Sequence, residues 1–295
     1  MSDEKEPDLP QVGMVVENED GRWKVLRSIA TGPFSDVFIV SELGDNRKKY
    51  AMKVEKQNGN IRAVLKLDVM VLADMQKRLT PGFPEKVTTG RTPAYKYLVM
   101  QLLGPDIGKL RRSLPEKRDV KGPNLVIGST LNGEPDHGTI YMLDFGFARR
   151  YKDKHGNFVA PRSQAALVGT FQYAPLAAHA HKEQSPKDDM ESWLYTAVEL
   201  MKGESPPPSL SSPLRFFEAP DYDEYRRMLK NVARRTDVDL DGIFDWQIHP
   251  WMLRRAAFVG DLGESNMASS KAANAADSDS SDDRSSLPVD VFFLC

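Results

Sequence analysis

The sequence predicts an α+β chain, with a small antiparallel sheet in its first hundred residues and a mainly helical second part. Three observations carry this. Runs of β-branched and aromatic residues separated by turn residues fill the stretch from Trp23 to Val54. An amphipathic pattern of helical period follows, over Val64 to Leu79. Farther on, Trp193 to Met201 and Tyr222 to Ala233 both read as helices.

In chain order, the first twenty residues are polar and are expected to be loose. Trp23, Val25 and Leu26 form a strand that runs into the turn Ala30-Thr31-Gly32-Pro33, and Val37 to Val40 form the next strand. Asp45-Asn46 marks a turn before a third strand, Tyr50 to Val54. The helix that follows repeats apolar residues at Val64, Leu67, Val71 and Met75. Tyr97 to Met100 and Tyr141 to Leu143 read as short buried strands. Trp193 to Met201 is mostly apolar and ends at Gly203, while Tyr222 to Ala233 is charged on one side. From about Ser265 to Leu287 Ser, Ala and Asp dominate; such a segment cannot bury enough apolar surface to offset its ordering entropy and is expected to be disordered.

Composition narrows the function classes. A net charge of −2 gives no global reason to expect nucleic-acid or membrane binding. No apolar run approaches the roughly 20 residues that span a bilayer, and Met1 to Pro10 lacks the apolar core of a secretory signal. The single cysteine, Cys295, excludes a disulfide within the chain and a thiolate zinc site. A cytoplasmic or nuclear location and a monomeric state are the expectations.

Several residues can carry chemistry. The turn from Ala30 to Val37 joins two strands, and a hairpin of this kind can fold over phosphates and offer them backbone N–H groups; taken alone, a plain β-hairpin is the commoner reading. Strand alternation puts Ala51 and Lys53 on one face, opposite Met52 and Val54. A small residue beside an inward lysine leaves room for a flat base and gives phosphate an ammonium, although a solvated strand lysine would look the same. Asp68, on the next helix, supplies a carboxylate for it. Asp144-Phe145-Gly146 follows the apolar strand Ile140 to Leu143, and a carboxylate at a strand end beside a glycine can hold Mg²⁺. Upstream, Arg118-Asp119-Val120-Lys121-Gly122-Pro123-Asn124 sets Asp and Asn five apart. In that arrangement one carboxylate accepts a hydroxyl proton, a lysine neutralises phosphate charge and an amide oxygen binds metal.

Lys53, the Arg118–Asn124 segment and Asp144-Phe145-Gly146 occur in the order of a eukaryotic protein kinase. More specifically the chain resembles the casein kinase 1 superfamily, nearest its tau-tubulin kinase-like branch. Val99-Met100-Gln101-Leu102-Leu103-Gly104-Pro105, Met142 to Arg149, Gly169-Thr170-Phe171-Gln172-Tyr173-Ala174 and Asp188-Asp189-Met190-Glu191-Ser192-Trp193 carry the match, which runs from about Gly13 to Trp246. The resemblance implies a bilobal fold: a disordered N-terminus over residues 1–20, a β-rich N-lobe over 21–102, a truncated, mainly α C-lobe over 103–255, and a disordered tail over 256–295. It implies a serine/threonine kinase using ATP and Mg²⁺ on protein substrates. Ala30, Gly32, Val37, Ala51 and Lys53 would line the nucleotide site, with Lys53 paired to Asp68. Asp119 would orient the acceptor hydroxyl, Lys121 would neutralise developing phosphate charge, and Asn124 and Asp144 would bind metal.

The pattern is also broken. Of the glycine positions in G-x-G-x-x-G-x-V only Gly32 is kept; Ala30 and Ser35 replace the outer two, and Pro33 lacks an N–H. Asp68 replaces a glutamate, Lys117 a histidine, and Gln172 an arginine linked to phosphate recognition. Twelve residues separate Pro105 from Arg118, too few at about 1.5 Å rise each for the short and long helices that the resemblance implies there. A second break follows Gly203, where Pro206 to Pro213 is proline- and serine-rich. A catalytically impaired interaction module and a truncated splice or gene-model variant are therefore carried beside the active enzyme.

Overall fold

A computed structural model describes residues 9–56, 63–112, 124–129, 138–202, 216–235 and 291–292. The chain divides into two compact units. The first takes in residues 1–107, 124–148 and 257–289, and the second residues 108–123, 149–256 and 290–295.

The first unit is built on a six-stranded antiparallel sheet in the order β1-β2-β3-β4-β6-β5, formed by β1 (Val15–Asn18), β2 (Gly21–Thr31), β3 (Asp36–Glu42), β4 (Asp45–Lys56), β5 (Lys86–Arg91) and β6 (Tyr95–Gln101). One face forms the core: Val16, Trp23, Val25, Phe38, Val40, Met52, Val54, Tyr95, Tyr97 and Val99 are all buried there. They alternate along each strand with residues of the other face, as a pleated sheet requires. That second face is covered too, since Ala51, Lys53, Leu98 and Met100 are buried, and α1 (Val64–Lys77) packs against β4, β5 and β6.

Three local expectations are corrected. Within the first twenty residues, expected to be loose, Val15–Asn18 pairs with β2 in the register Val16↔Trp23, and Val16 is buried. One inward valine between exposed Val15 and Glu17 suffices for an edge strand. The hairpin between β3 and β4 turns at Leu43-Gly44, where Gly44 takes φ +103°, so Asp45 and Asn46 already belong to β4. The buried stripe of α1 is Val64, Leu65, Asp68, Val71 and Leu72. It therefore uses Leu65 and Leu72 rather than Leu67 and Met75, with Asp68 at its centre. The helix closes with Leu79 N–H donating to the Gln76 carbonyl and Thr80 N–H to that of Met75, which leaves exposed Leu79 at φ +53°.

Two more strands complete this unit: β7 (Leu125–Ile127) and β8 (Ile140–Met142) form an antiparallel pair. Gly104 N–H donates to the Ile127 carbonyl at 2.8 Å, and Ile127 N–H to that of Pro105 at 3.2 Å, so the Leu-Gly-Pro segment lies directly on β7. A Cβ on Gly104 would stand 2.7 Å from the Gly128 carbonyl oxygen, which explains why glycine is needed there. The six-residue helix α2 (Ile107–Arg112) follows, where the chain passes into the second unit.

In the second unit β9 (Arg149–Arg150) leads to a 3₁₀ turn, Phe171–Tyr173, then α3 (Leu176–His179), α4 (Pro186–Lys202) and α5 (Tyr222–Arg235). Ser185 caps α4: its backbone N–H and hydroxyl both donate to the Asp188 carboxylate, and Pro186 occupies the first helical position. The buried stripe of α4 is polar, contrary to the apolar helix expected: Glu191, Ser192, Tyr195, Thr196 and Glu199 are buried. Glu191 accepts from the Leu176 N–H and the Tyr195 hydroxyl, and Glu199 from the Gln172 amide at 3.4 Å. Those donors make the buried carboxylates tolerable. The last strand, β10 (Val291–Phe292), pairs with β9 in the register Val291↔Arg150 and lies inside the segment expected to be disordered. The compositional argument for disorder stops at Leu287; Val291 and Phe292 are strand formers.

Candidate nucleotide and metal site

The chemistry-bearing residues of the first unit gather around one ammonium. The sheet register sets Ala30 opposite Val37, and Val37 opposite Lys53. Ala51 lies two residues before Lys53 on the same face and is buried. Ala30 belongs to β2 itself, so the turn is confined to Gly32–Ser35, closed by the Gly32 N–H on the Ser35 carbonyl at 3.0 Å.

Lys53 is 8% exposed, and its Nζ donates to Asp68 Oδ2 at 2.6 Å and to Asp144 Oδ1 at 3.0 Å. Asp68 uses its other oxygen as well, accepting from the Phe145 N–H at 2.7 Å. One carboxylate on α1 thus fastens both the strand lysine and the backbone of the Asp144-Phe145-Gly146 turn. The fit is close: a Cβ on Gly146 would come within 3.0 Å of Val64 Cβ, the first residue of α1. The aspartate, one methylene shorter than the glutamate expected there, makes both bonds at full strength.

Burial alone would lower the Lys53 pKa, but the carboxylates of Asp68 and Asp144 outweigh it and hold the group above the ordinary lysine value. Burial pushes the Asp68 carboxyl above the ordinary aspartate value, against the pull of Lys53. One ammonium shared between two carboxylates accounts for both directions. For Lys53 the two carboxylates outweigh burial, whereas for Asp68 burial, with the like charge of Asp144, outweighs the pull of Lys53 and of the Phe145 N–H.

Asp144 differs from Asp68 in being open: its side chain is 48% exposed, and its φ of +66° turns the backbone sharply after β8. Asn124 sits beside it at the start of β7, where its carbonyl accepts the Leu143 N–H at 2.8 Å; it too has a positive φ, +40°. A carboxylate and an amide are hard oxygen donors of the kind Mg²⁺ takes. Among the described residues no three His, Cys, Asp or Glu cluster to hold a metal by themselves. Two ligands suit a magnesium ion that keeps its waters and shares the oxygens of a bound phosphate.

Asp119, expected to orient the acceptor hydroxyl, and Lys121, expected to neutralise phosphate charge, lie outside the described residues, as do Lys117 and Pro206 to Pro213. Residues that sequence reasoning missed are aromatic. Phe145 is buried against Phe83, with ring centroids 5.6 Å apart, and Phe34 meets Phe147 edge-on. Phe34 and Phe147 both stood inside motifs already singled out, but nothing in their spacing told which rings would touch.

No protein-family model matches the chain. It is 40% identical over 332 residues to the serine/threonine-protein kinase spe-6 of Caenorhabditis elegans, covering 89% of this chain and 86% of that protein. A putative casein kinase I of the same nematode, C03C10.2, is 28% identical over 216 residues, covering 63% of this chain and 61% of the relative. Among solved structures, the crystal structure of the BubR1 kinase domain aligns over 85% of each chain at 14% identity, with a TM-score of 0.49. On the first of these relatives, the chain belongs to the serine/threonine protein kinases.

Proposed function

We propose that the chain is a kinase domain of the casein kinase 1 group, nearest the tau-tubulin kinase-like branch, that binds ATP with Mg²⁺ and acts on serine or threonine of protein substrates. The observation that carries this is the Lys53 ammonium held between Asp68 and Asp144. Lys53 is preset to meet phosphate oxygens, Asp68 keeps it charged and aimed, and Asp144 with Asn124 offers oxygens to the metal. Ala30, Val37 and Ala51 supply the apolar surround for a base. ATP, when bound, supplies the phosphoryl group; Asp119 would orient the acceptor hydroxyl, with Lys121 beside it. The likeness to a casein kinase I relative supports the group.

A second reading, a domain that binds nucleotide but transfers phosphate poorly, is favoured by specific observations. Only twelve residues join Pro105 to Arg118, and they include the six-residue α2. The alignment with the nematode relative spans 332 positions, more than the 295 residues of this chain, so that relative has residues with no counterpart here. A long buried helix carries several large apolar side chains, each worth about 1.5–3 kcal/mol. A chain too short to supply such a helix loses that burial. Phosphate transfer to casein, compared with an Asp144→Ala control, tests this. The second reading expects incorporation barely above the control. Robust turnover that the control abolishes would overturn the impairment and leave the plain enzyme.

A further inference from the structure

The hairpin Gly32–Ser35 is built differently from a glycine-rich loop. Ala30 is committed to β2, Pro33 has no N–H, and the Gly32 N–H is spent on the Ser35 carbonyl. At the tip, the Phe34 ring stands edge-on to the Phe147 ring, with centroids 5.9 Å apart and planes at 85°. Edge-to-face is a favoured geometry for two aromatic rings.

The two partners are not equally anchored. Phe147 occupies a turn closed by the Ala148 N–H on the Phe145 carbonyl at 2.9 Å. Both flanking residues of that turn are buried, and Phe145 is pinned by Asp68 and packed on Phe83. Phe34 sits at the tip of a short hairpin whose last strand pairs are Thr31↔Asp36 and Ala30↔Val37. Phe147 therefore stands on a fixed turn, and Phe34 meets it from the hairpin tip.

We propose that Phe147 is a positioning residue, whose ring holds Phe34 and with it the hairpin tip against the turn that carries Asp144, so that the loop is set for a nucleotide's phosphates before any nucleotide arrives. This rests on the nucleotide-binding reading above. It makes an aromatic clasp take the place of the backbone freedom that the missing glycines would have given, and it ties the hairpin to the same turn that carries Asp144.

Two readouts on the full chain test it, using Phe147→Leu, Phe34→Leu, the double variant and the conservative Phe147→Tyr. Leucine keeps most of the apolar area and removes the ring. The first readout needs no nucleotide: hydrogen exchange at the Gly32 amide should speed up roughly 2- to 12-fold in either leucine variant and stay as in the wild type in Phe147→Tyr. The second is Mg²⁺-ATP affinity, which should weaken by a similar factor in each single variant, with the double variant no weaker than the weaker single. Unchanged exchange would overturn the clasp. Faster exchange with unchanged affinity, or strictly additive losses, would overturn its positioning role. Should the wild type bind no nucleotide, the function proposed above fails, and the exchange arm alone decides the clasp.

Discussion

Asp68→Ala is expected to lower the free energy of unfolding by about 3–5 kcal/mol, the cost of leaving one half of a buried ion pair without its partner. Asp68 is 2% exposed and both of its oxygens are used, one by Lys53 and one by the Phe145 N–H. The variant leaves a buried ammonium with the half-exposed Asp144 as its remaining carboxylate, and removes the acceptor of a buried amide. A further Lys53→Met change should restore part of the loss, because an apolar pair no longer buries an unmatched charge. Urea denaturation of the wild type and the single and double variants measures this. A loss of less than about 1 kcal/mol would mean that the pair behaves as an exposed one.

Asp144→Ala should remove the help that Mg²⁺ gives to nucleotide binding. In the wild type the ion is expected to tighten ATP by roughly 10- to 100-fold, the range of one interaction with a charged group. In the variant, affinity should be nearly the same with Mg²⁺ and with EDTA. Exposure separates the two carboxylates: Asp68 and Asp144 both touch Lys53, yet Asp68 is sealed in the packing of α1 while nearly half of the Asp144 side chain meets solvent. Only the open carboxylate can take a metal. If Mg²⁺ still tightened ATP fully in the variant, the metal would be held elsewhere.

Much of this site was legible in the sequence, because strand alternation and motif order are one-dimensional signals. Lys53 could be placed inward beside Ala51 from period-two spacing, and Asp68 could be read as a helix carboxylate within reach of it. The sequence could not show that Asp68 has a second task at the Phe145 amide, since that bond depends on how closely Val64 lies over Gly146. The edge strand β1 escaped because one inward valine gives too little pattern. The helix α4 was found, but its buried face was read as apolar. Glu191 and Glu199 are tolerated inside only because donors from the preceding segment reach them. The contact of Phe34 with Phe147 joins residues more than a hundred positions apart, and no local rule reports it.

Titration calorimetry of Mg²⁺-ATP into the wild type and a Lys53→Met variant asks directly whether Lys53 meets a nucleotide, with circular dichroism to confirm that the variant is folded. The expected result is saturable binding in the wild type that weakens by roughly 10- to 100-fold or disappears in Lys53→Met, since the charged hydrogen bonds to phosphate are lost. Equal affinity in the two proteins, or no saturable binding by the wild type, would contradict it.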